Sequence, residues 1–415
     1  MQLCQHACTK EVHLGSGAGG LLLQRRLPDC VDELLRRFGG QVQMIYIDPP
    51  FNTGQRFDMK MRVGEEDWKR SRARLTLPAY DDRWPSEEEY LSMMRSALTL
   101  ARELLRDEGT IFLHIDSRMH ARLRLMMDDI FGPQNFLNEI IWAYQSGGRA
   151  LNHFSRKHDI ILFYRKSRLY YFNIRSVPVP RAENRSNHMR RCVDADGRTY
   201  RTIRSGGKEY VYYDDEPAYP GDVWDDVSHL QQKDPQRTGY DTQKPVKLLE
   251  RIVLCASRPG DIVCDLFCGS GTTLVAAAQN GRRFLGVDQS VTAHAVARKR
   301  LLGRKLEIET QAQPVNAEVS ATLMPGIGFY TVQLLKYEIE AELGCFDGLD
   351  AVDQWSAGFL REGAFLSYAN AVRSKQSPCL AKTLEIPVLS GTPCIETVDV
   401  LGRRAFYCFT ETSGQ

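Results

Sequence analysis

Val263-Cys264-Asp265-Leu266-Phe267-Cys268-Gly269-Ser270-Gly271-Thr272-Thr273, with Asp288 closing the next strand-like run, is the stretch on which the fold turns. A short apolar run over 262–264 ends in an acid, a tight turn and two glycines. Leu274-Val275-Ala276-Ala277-Ala278 then begins a helix, and Arg283-Phe284-Leu285-Gly286-Val287-Asp288 reads as a second strand. Strand, glycine-rich turn, helix and acid-terminated strand make half of a nucleotide-binding βαβ unit. The glycines let the backbone approach a ligand. An acid about 23 residues after Asp265 can hydrogen-bond ribose hydroxyls.

The turn carries Thr272-Thr273 in place of the third glycine of a dinucleotide pattern. That disfavours NAD, whose pyrophosphate sits on a helix N-terminus, and suits S-adenosylmethionine (SAM), an adenosine with no phosphate. A Gly-x-Gly alone is also an ordinary turn; the flanking strands and the placed acid favour a ligand. A second motif lies far upstream, where Gln43-Met44-Ile45-Tyr46-Ile47 runs into Asp48-Pro49-Pro50-Phe51-Asn52-Thr53-Gly54. Two prolines fix φ and remove two backbone donors, so the strand stops there. A carboxylate, a free carbonyl and an aromatic ring then stand at a strand's C-terminal end, the edge where open α/β sheets bind ligands. The plain alternative for Asp-Pro-Pro by itself is a proline-stopped loop.

The two motifs together resemble the amino-methyltransferases of DNA, which methylate exocyclic nitrogens of adenine or cytosine. The resemblance covers about residues 40–305. Thr242-Gln243-Lys244-Pro245 with Leu248-Leu249-Glu250-Arg251-Ile252 looks like the family's segment before the SAM loop. Gly109-Thr110-Ile111-Phe112-Leu113-His114-Ile115-Asp116 and Phe131-Gly132-Pro133-Gln134-Asn135-Phe136 look like its middle motifs. With the catalytic motif first and the SAM motif last, this is the order of the β-group, closest to modification subunits of type III restriction systems and related solitary enzymes.

The resemblance implies an α/β fold: a Rossmann-like, doubly wound mixed sheet with circularly permuted motif order, a recognition insert and a small β-rich C-terminal domain. It implies catalysis at Asp48, Pro49, Pro50 and Phe51, and a SAM site of Gln243, Lys244, Asp265, Phe267, Gly269, Gly271, Thr272 and Asp288. Asn52 and Asp116 are further candidates. The first-position Asp favours adenine N6, where cytosine-N4 enzymes usually carry Ser. Phe51 in place of the commoner Tyr keeps a ring to stack on a flipped base. The function expected is site-specific methylation of adenine N6 in duplex DNA. Cytosine N4, or an inert DNA-binding subunit of a restriction system, is the alternative. A second copy of the chain and a restriction subunit are candidate protein partners.

Composition agrees with an intracellular enzyme. At 415 residues and 43% hydrophobic the chain exceeds one typical domain and can bury a sizeable core. No apolar run approaches the ~20 residues of a membrane helix. Met1-Gln2-Leu3-Cys4-Gln5-His6 lacks a signal peptide's layout, so the cytoplasm is the expected compartment. Eleven cysteines, an odd count without a Cys-x-x-Cys pair, argue against a disulfide framework and against zinc. Cys4, His6, Cys8 and His13 cluster, but free cysteine is usually a small buried hydrophobe, and no metal is expected.

Charge is segregated. Residues 145–210 hold 15 Lys and Arg against 5 Asp and Glu, an excess of +10 that leaves −8 for the remainder of a chain with net charge +2. Arg149, Arg156, Lys157, Arg190, Arg191, Arg201 and Arg204, interleaved with aromatics such as Tyr210, Tyr212 and Tyr213, are the candidate DNA contacts. The expected organisation is a catalytic half over 1–166, a target-recognition insert over 167–239 and a SAM-binding half over 240–308. A linker over 309–325 and a mostly β accessory domain over 326–415 follow. The charged stretch 56–85 reads as a loop over the active site that orders with ligand.

Overall fold

The computed structural model describes residues 2–62, 74–144, 149–180, 190–231, 233–311, 314–339, 348–374 and 377–410. Its spine is six neighbouring parallel strands: Arg304–Thr310, Ser16–Gln24, Arg283–Asp288, Ile262–Asp265, Val42–Ile47 and Leu105–Ile115. The antiparallel pair His158–Arg165 and Phe136–Ala143 extends the sheet beyond Leu105–Ile115. Every residue of Val42–Ile47 is buried, as expected of a parallel strand covered on both faces. Alternation sorts the side chains beyond a ladder irregularity after Val42: Ile45 and Ile47, with Val42, join the layer of helices Val31–Phe38, Glu87–Leu104 and His120–Phe131. Met44 and Tyr46 face the layer of Val246–Ala256, Thr272–Gln279 and Val291–Leu301. This is the doubly wound mixed sheet the sequence implies.

Parallel pairing brings the C-terminal ends of four strands to one edge. Asp265 lies opposite Tyr46 in register, so Asp48 and Phe267, each two residues further on, leave adjacent strands side by side. Strands in a sheet are about 4.8 Å apart. Asp116 and Asp288 end the neighbouring strands at the same edge.

Elsewhere the structure departs from expectation. Within 56–85 stands an antiparallel hairpin, Arg56–Arg62 with Arg74–Asp81, in place of a loop; 63–73, including Trp68, lies outside the described residues. The insert holds a three-stranded antiparallel sheet, Arg190–Val193, Thr199–Ser205 and Lys208–Tyr213. The linker expected over 309–325 is mostly strand: Arg304–Thr310 runs into it, and Glu318–Pro325 pairs with Phe329–Glu338.

The C-terminal unit is not separate. Lys10–His13 lies between Arg304–Thr310 and Ala364–Val372, and Gln2–Gln5 pairs with Arg404–Thr410, so the catalytic sheet continues into the accessory one. Cys394 and Cys408, opposite each other in adjacent strands, form a disulfide, contrary to the cysteine count's suggestion. Across this seam Arg298 and Arg404 meet Glu11 and Glu396, all four buried: Arg298 is 3.1 Å from Glu11 and 2.6 Å from Glu396, and Arg404 is 2.6 Å from Glu11. His13 sits 3.0 Å from Glu11 in the same network. No helix among the described residues is long and apolar enough to cross a membrane.

Candidate active site

Pro49 and Pro50 end the strand Val42–Ile47 and turn the chain outward. The Asp48 side chain is 19% exposed and its Oδ2 accepts from Lys244 Nζ at 2.6 Å. Lys244 Nζ also lies 5.4 Å from the Phe51 ring centroid. The loop after the prolines is folded round Asp82, a fully buried carboxylate from just beyond the hairpin. Asp82 accepts from the backbone N–H of Phe51 (3.2 Å), Asn52 (3.0 Å) and Thr53 (2.8 Å), and from Thr53 Oγ1 (2.7 Å). Asn52 takes a left-handed φ of 55°, which lets three successive amides converge on one acid.

Behind Phe51 runs a buried polar chain. The Phe51 ring lies 6.1 Å from the His114 ring at 21°, close to parallel. His114 Nε2 is 3.1 Å from Asp159 Oδ2, and its Nδ1 is 2.7 Å from Tyr46 Oη. His114 thus donates from Nε2 to Asp159 and pairs through Nδ1 with the Tyr46 hydroxyl. Tyr144 Oη donates to the other oxygen of Asp159 at 3.1 Å. Burial opposes ionisation of Asp159, but the His114 hydrogen bond and charge win and hold its carboxyl down at about 2. Phe51 thus rests on a side chain locked at both nitrogens.

The glycine turn is shaped by its acids. Asp265 accepts from Thr273 Oγ1 at 2.6 Å and from the Phe267 N–H at 3.1 Å. Burial pushes its carboxyl up to about 7 against those bonds, with Asp48 and Asp288 adding to the rise. Asp288 accepts from the N–H of Gly269 and of Ser290, each at 2.8 Å. Gly269 has φ +48° and Gly271 +74°, both in the left-handed region. A Cβ on Gly271 would lie 2.9 Å from that of Ala297, so helix Val291–Leu301 can pack against the turn only if this position is bare. Tyr240 stands over Gly269, and Tyr80 of the hairpin lies alongside Tyr240 with centroids 6.4 Å apart. The hairpin therefore roofs the turn.

The expected site residues divide into those facing open space and those consumed in building. Asp48, Phe51, Lys244, Phe267, Gly269 and Asp288 are partly exposed. Asp265, Gly271 and Thr272 are buried, and Arg300 holds the Thr272 hydroxyl at 2.9 Å. Gln243, also expected at the SAM site, is likewise occupied: it accepts from the N–H and hydroxyl of Thr238 and donates to the Gln236 carbonyl. Lys244, expected at the SAM site, reaches the Asp48 carboxylate. Asp116 is taken up by the Arg118 N–H at 2.9 Å, and burial raises its carboxyl. Of the basic candidates, Arg149, Arg156, Arg190, Arg191 and Arg204 are exposed, and Lys157 is half-buried. Arg191 and Arg201 share the Asp214 carboxylate, and Arg204 faces Glu209 across the sheet. Sequence reasoning misses Asp82, His114 and Asp159: the 109–116 segment resembles a family motif, but nothing local marks His114 as the link between Tyr46 and Asp159.

Comparison with known proteins agrees with this architecture. A family model described as DNA methylase, of the N6/N4 class, matches residues 42–299, more than half of the 415. Type II methyltransferase M.EcaI of Enterobacter cloacae is 30% identical over 314 residues, covering 64% of this chain and 66% of that protein. DNA adenine methyltransferase YhdJ of Escherichia coli is 27% identical over 264 residues, covering 63% and 76%. The type III StyLTI Mod subunit of Salmonella typhimurium is 25% identical over 349 residues, covering 65% and 53%, so the chain spans about half of that relative. The family match takes in both the Asp48-Pro49-Pro50-Phe51 loop and the glycine turn on the adjacent strand, and the chain belongs to the N6/N4 DNA methylase family.

Proposed function

We propose that the chain is a site-specific DNA methyltransferase acting on adenine N6 of a base flipped from the duplex, with S-adenosyl-L-methionine as methyl donor. The observation that carries the reading is the shared edge: Asp48 leaves the strand next to the one whose turn holds Gly269. The turn fits an adenosine. Its partly open residues are an aromatic ring, a side-chain-free glycine and the Asp288 carboxylate, which suit a base and ribose hydroxyls and offer a phosphate nothing. Bound SAM supplies an electrophilic methyl group on a sulfonium.

The chain's own part is to make a poor nucleophile a better one. An exocyclic amino group conjugates its lone pair into the ring. Asp48 and the Pro49 carbonyl accept from its two hydrogens, which turns the nitrogen toward tetrahedral geometry and its lone pair toward the donor. The amino group competes with Lys244 for Asp48 Oδ2, where the ammonium now sits at 2.6 Å. Positive charge growing on nitrogen is stabilised by the Asp48 carboxylate, the kind of electrostatic effect that usually dominates catalysis. Phe51 stacks on the flipped base, worth about 1–3 kcal/mol, and helps offset a flip that costs a few kcal/mol. His114, held between Tyr46 and Asp159, keeps that ring in place.

Duplex DNA is the partner, met by the basic insert, and the likeness to a type III Mod subunit makes a restriction subunit a candidate for association. The test is to incubate the chain with labelled SAM and duplex DNA, digest, and identify the modified nucleoside. N6-methyladenine is expected. N4-methylcytosine would overturn the base assignment, and no label in any DNA would leave the inert subunit. Sequencing of the modified DNA gives the target site.

A further inference from the structure

Two apolar side chains of this chain stand almost wholly in solvent on one short loop. Leu151 is 101% exposed and Phe154 98%. Single exposed apolar residues need no explanation. Here two sit three apart on a loop held closed by the Ala150 N–H donating to Ser155 Oγ at 3.0 Å. Arg149 and Arg156, both exposed, flank them.

The loop's root is at the catalytic edge. Phe136–Ala143 is antiparallel to His158–Arg165, which is antiparallel to Leu105–Ile115, so the chain leaves Ala143 at the edge where Asp48 and Asp116 emerge. The Tyr144 N–H donates to the Lys157 carbonyl at 2.9 Å and closes the base of the loop. Tyr144 Oη binds Asp159, which binds His114, on which Phe51 rests. A duplex delivering a base to Phe51 therefore meets this loop.

We propose that Leu151 and Phe154 enter the base stack at the target step and fill the space left by the flipped adenine, with Arg149 and Arg156 on the flanking phosphates. The inference rests on the methyltransferase reading above. Apolar wedges of this kind unstack a base step and hold the duplex open, which lowers the barrier to flipping the target base. The basic flanks match a polyanion and suit neither a membrane interior nor a like-charged copy of the same loop.

The test compares wild type, Leu151→Ala/Phe154→Ala, Phe154→Trp and the control Ile327→Ala, whose side chain is 99% exposed on a turn between Glu318–Pro325 and Phe329–Glu338. Each is given a duplex carrying the mapped target site, and the same duplex with an abasic position opposite the target. The double alanine variant should lose about ten- to a hundredfold in turnover on the intact duplex. It should recover to within about threefold of wild type on the abasic one, where the flip is cheap. SAM affinity and melting temperature should not change, and Phe154→Trp and Ile327→Ala should stay near wild type. Equal loss on both duplexes, or none on the intact one, overturns the wedge while leaving the methyltransferase reading in place. A dimer dissolved by the double variant with turnover unchanged assigns the loop to a second copy and overturns it too. A wild type that methylates no DNA overturns both readings.

Discussion

Asp82→Asn perturbs an acid round which the loop at 51–53 folds and which stands outside that loop. The native carboxylate takes three backbone N–H groups and one hydroxyl, between 2.7 and 3.2 Å, while fully buried. An asparagine keeps one acceptor oxygen. Placed where Oδ2 stands, it still serves Phe51 and Thr53 but turns an NH2 toward the Asn52 N–H and the Trp84 indole N–H, both now on Oδ1. Two hydrogen bonds to a charged acceptor are lost, at about 1.5–3 kcal/mol each. The loop should therefore be destabilised by about 3–6 kcal/mol, enough to populate conformers in which Phe51 and Asp48 are displaced. Misplacement of about 1 Å costs on the order of a hundredfold in rate. Single-turnover methylation should fall by about a hundredfold or more. Calorimetric SAM affinity should move by less than about threefold, because the glycine turn hangs on Asp265 and Asp288. Native turnover in Asp82→Asn would refute the reasoning. Lost SAM binding would show that the hairpin and the glycine turn fold as one unit.

Four further outcomes are expected. Asp48→Ala should retain SAM and DNA binding while turnover drops by about a hundred- to a thousandfold; loss of SAM binding instead would make Asp48 a structural residue. Gly271→Ala should weaken SAM binding and lower the melting temperature, since its φ is +74° and its Cβ would crowd Ala297, whereas Gly281→Ala, at φ +75° with nothing within 4 Å, should cost only the backbone strain of about 1–2 kcal/mol. Similar effects on SAM binding would discount the close approach. Arg298→Ala leaves Glu11 and Glu396 with one arginine between them and should lower unfolding free energy by about 3–5 kcal/mol in denaturant titrations; a loss under about 1 kcal/mol would mean the carboxylates simply protonate. DNA affinity should fall steeply with salt, and removing Arg190 and Arg204 together should lower the log–log slope by about two; an unchanged slope would take the insert off the phosphates.

The sheet edge was legible because its signals are local. Two prolines after a buried run, and glycines between a strand and a helix, state where a chain stops and where backbone lies bare. Asp82 was not legible: it stands in the charged run Asp81-Asp82-Arg83, and only the folded hairpin shows which acid turns inward. The same holds for 318–325, whose mixed residues form a strand because Phe329–Glu338 lies beside it. Strand pairing between residues ten and several hundred leaves no local periodicity, which is why Lys10–His13 was unreadable as the link between two sheets. Gln243 shows the converse. Its motif was recognisable, but a motif names a segment and not what each side chain touches, and this one ties its own loop together.

The seam has a consequence for how the chain is made. On the ribosome, Asp48 and the Gly269 turn emerge long before Ala364–Val372 and Arg404–Thr410 exist. A nascent chain that has reached Thr310 therefore has Lys10–His13 paired on one side only, with an open hydrogen-bonding edge on the other and the Glu11 carboxylate lacking Arg404. Such an edge invites pairing with a neighbouring nascent chain. Synthesis of residues 311–410 caps an edge that the parallel sheet has already exposed.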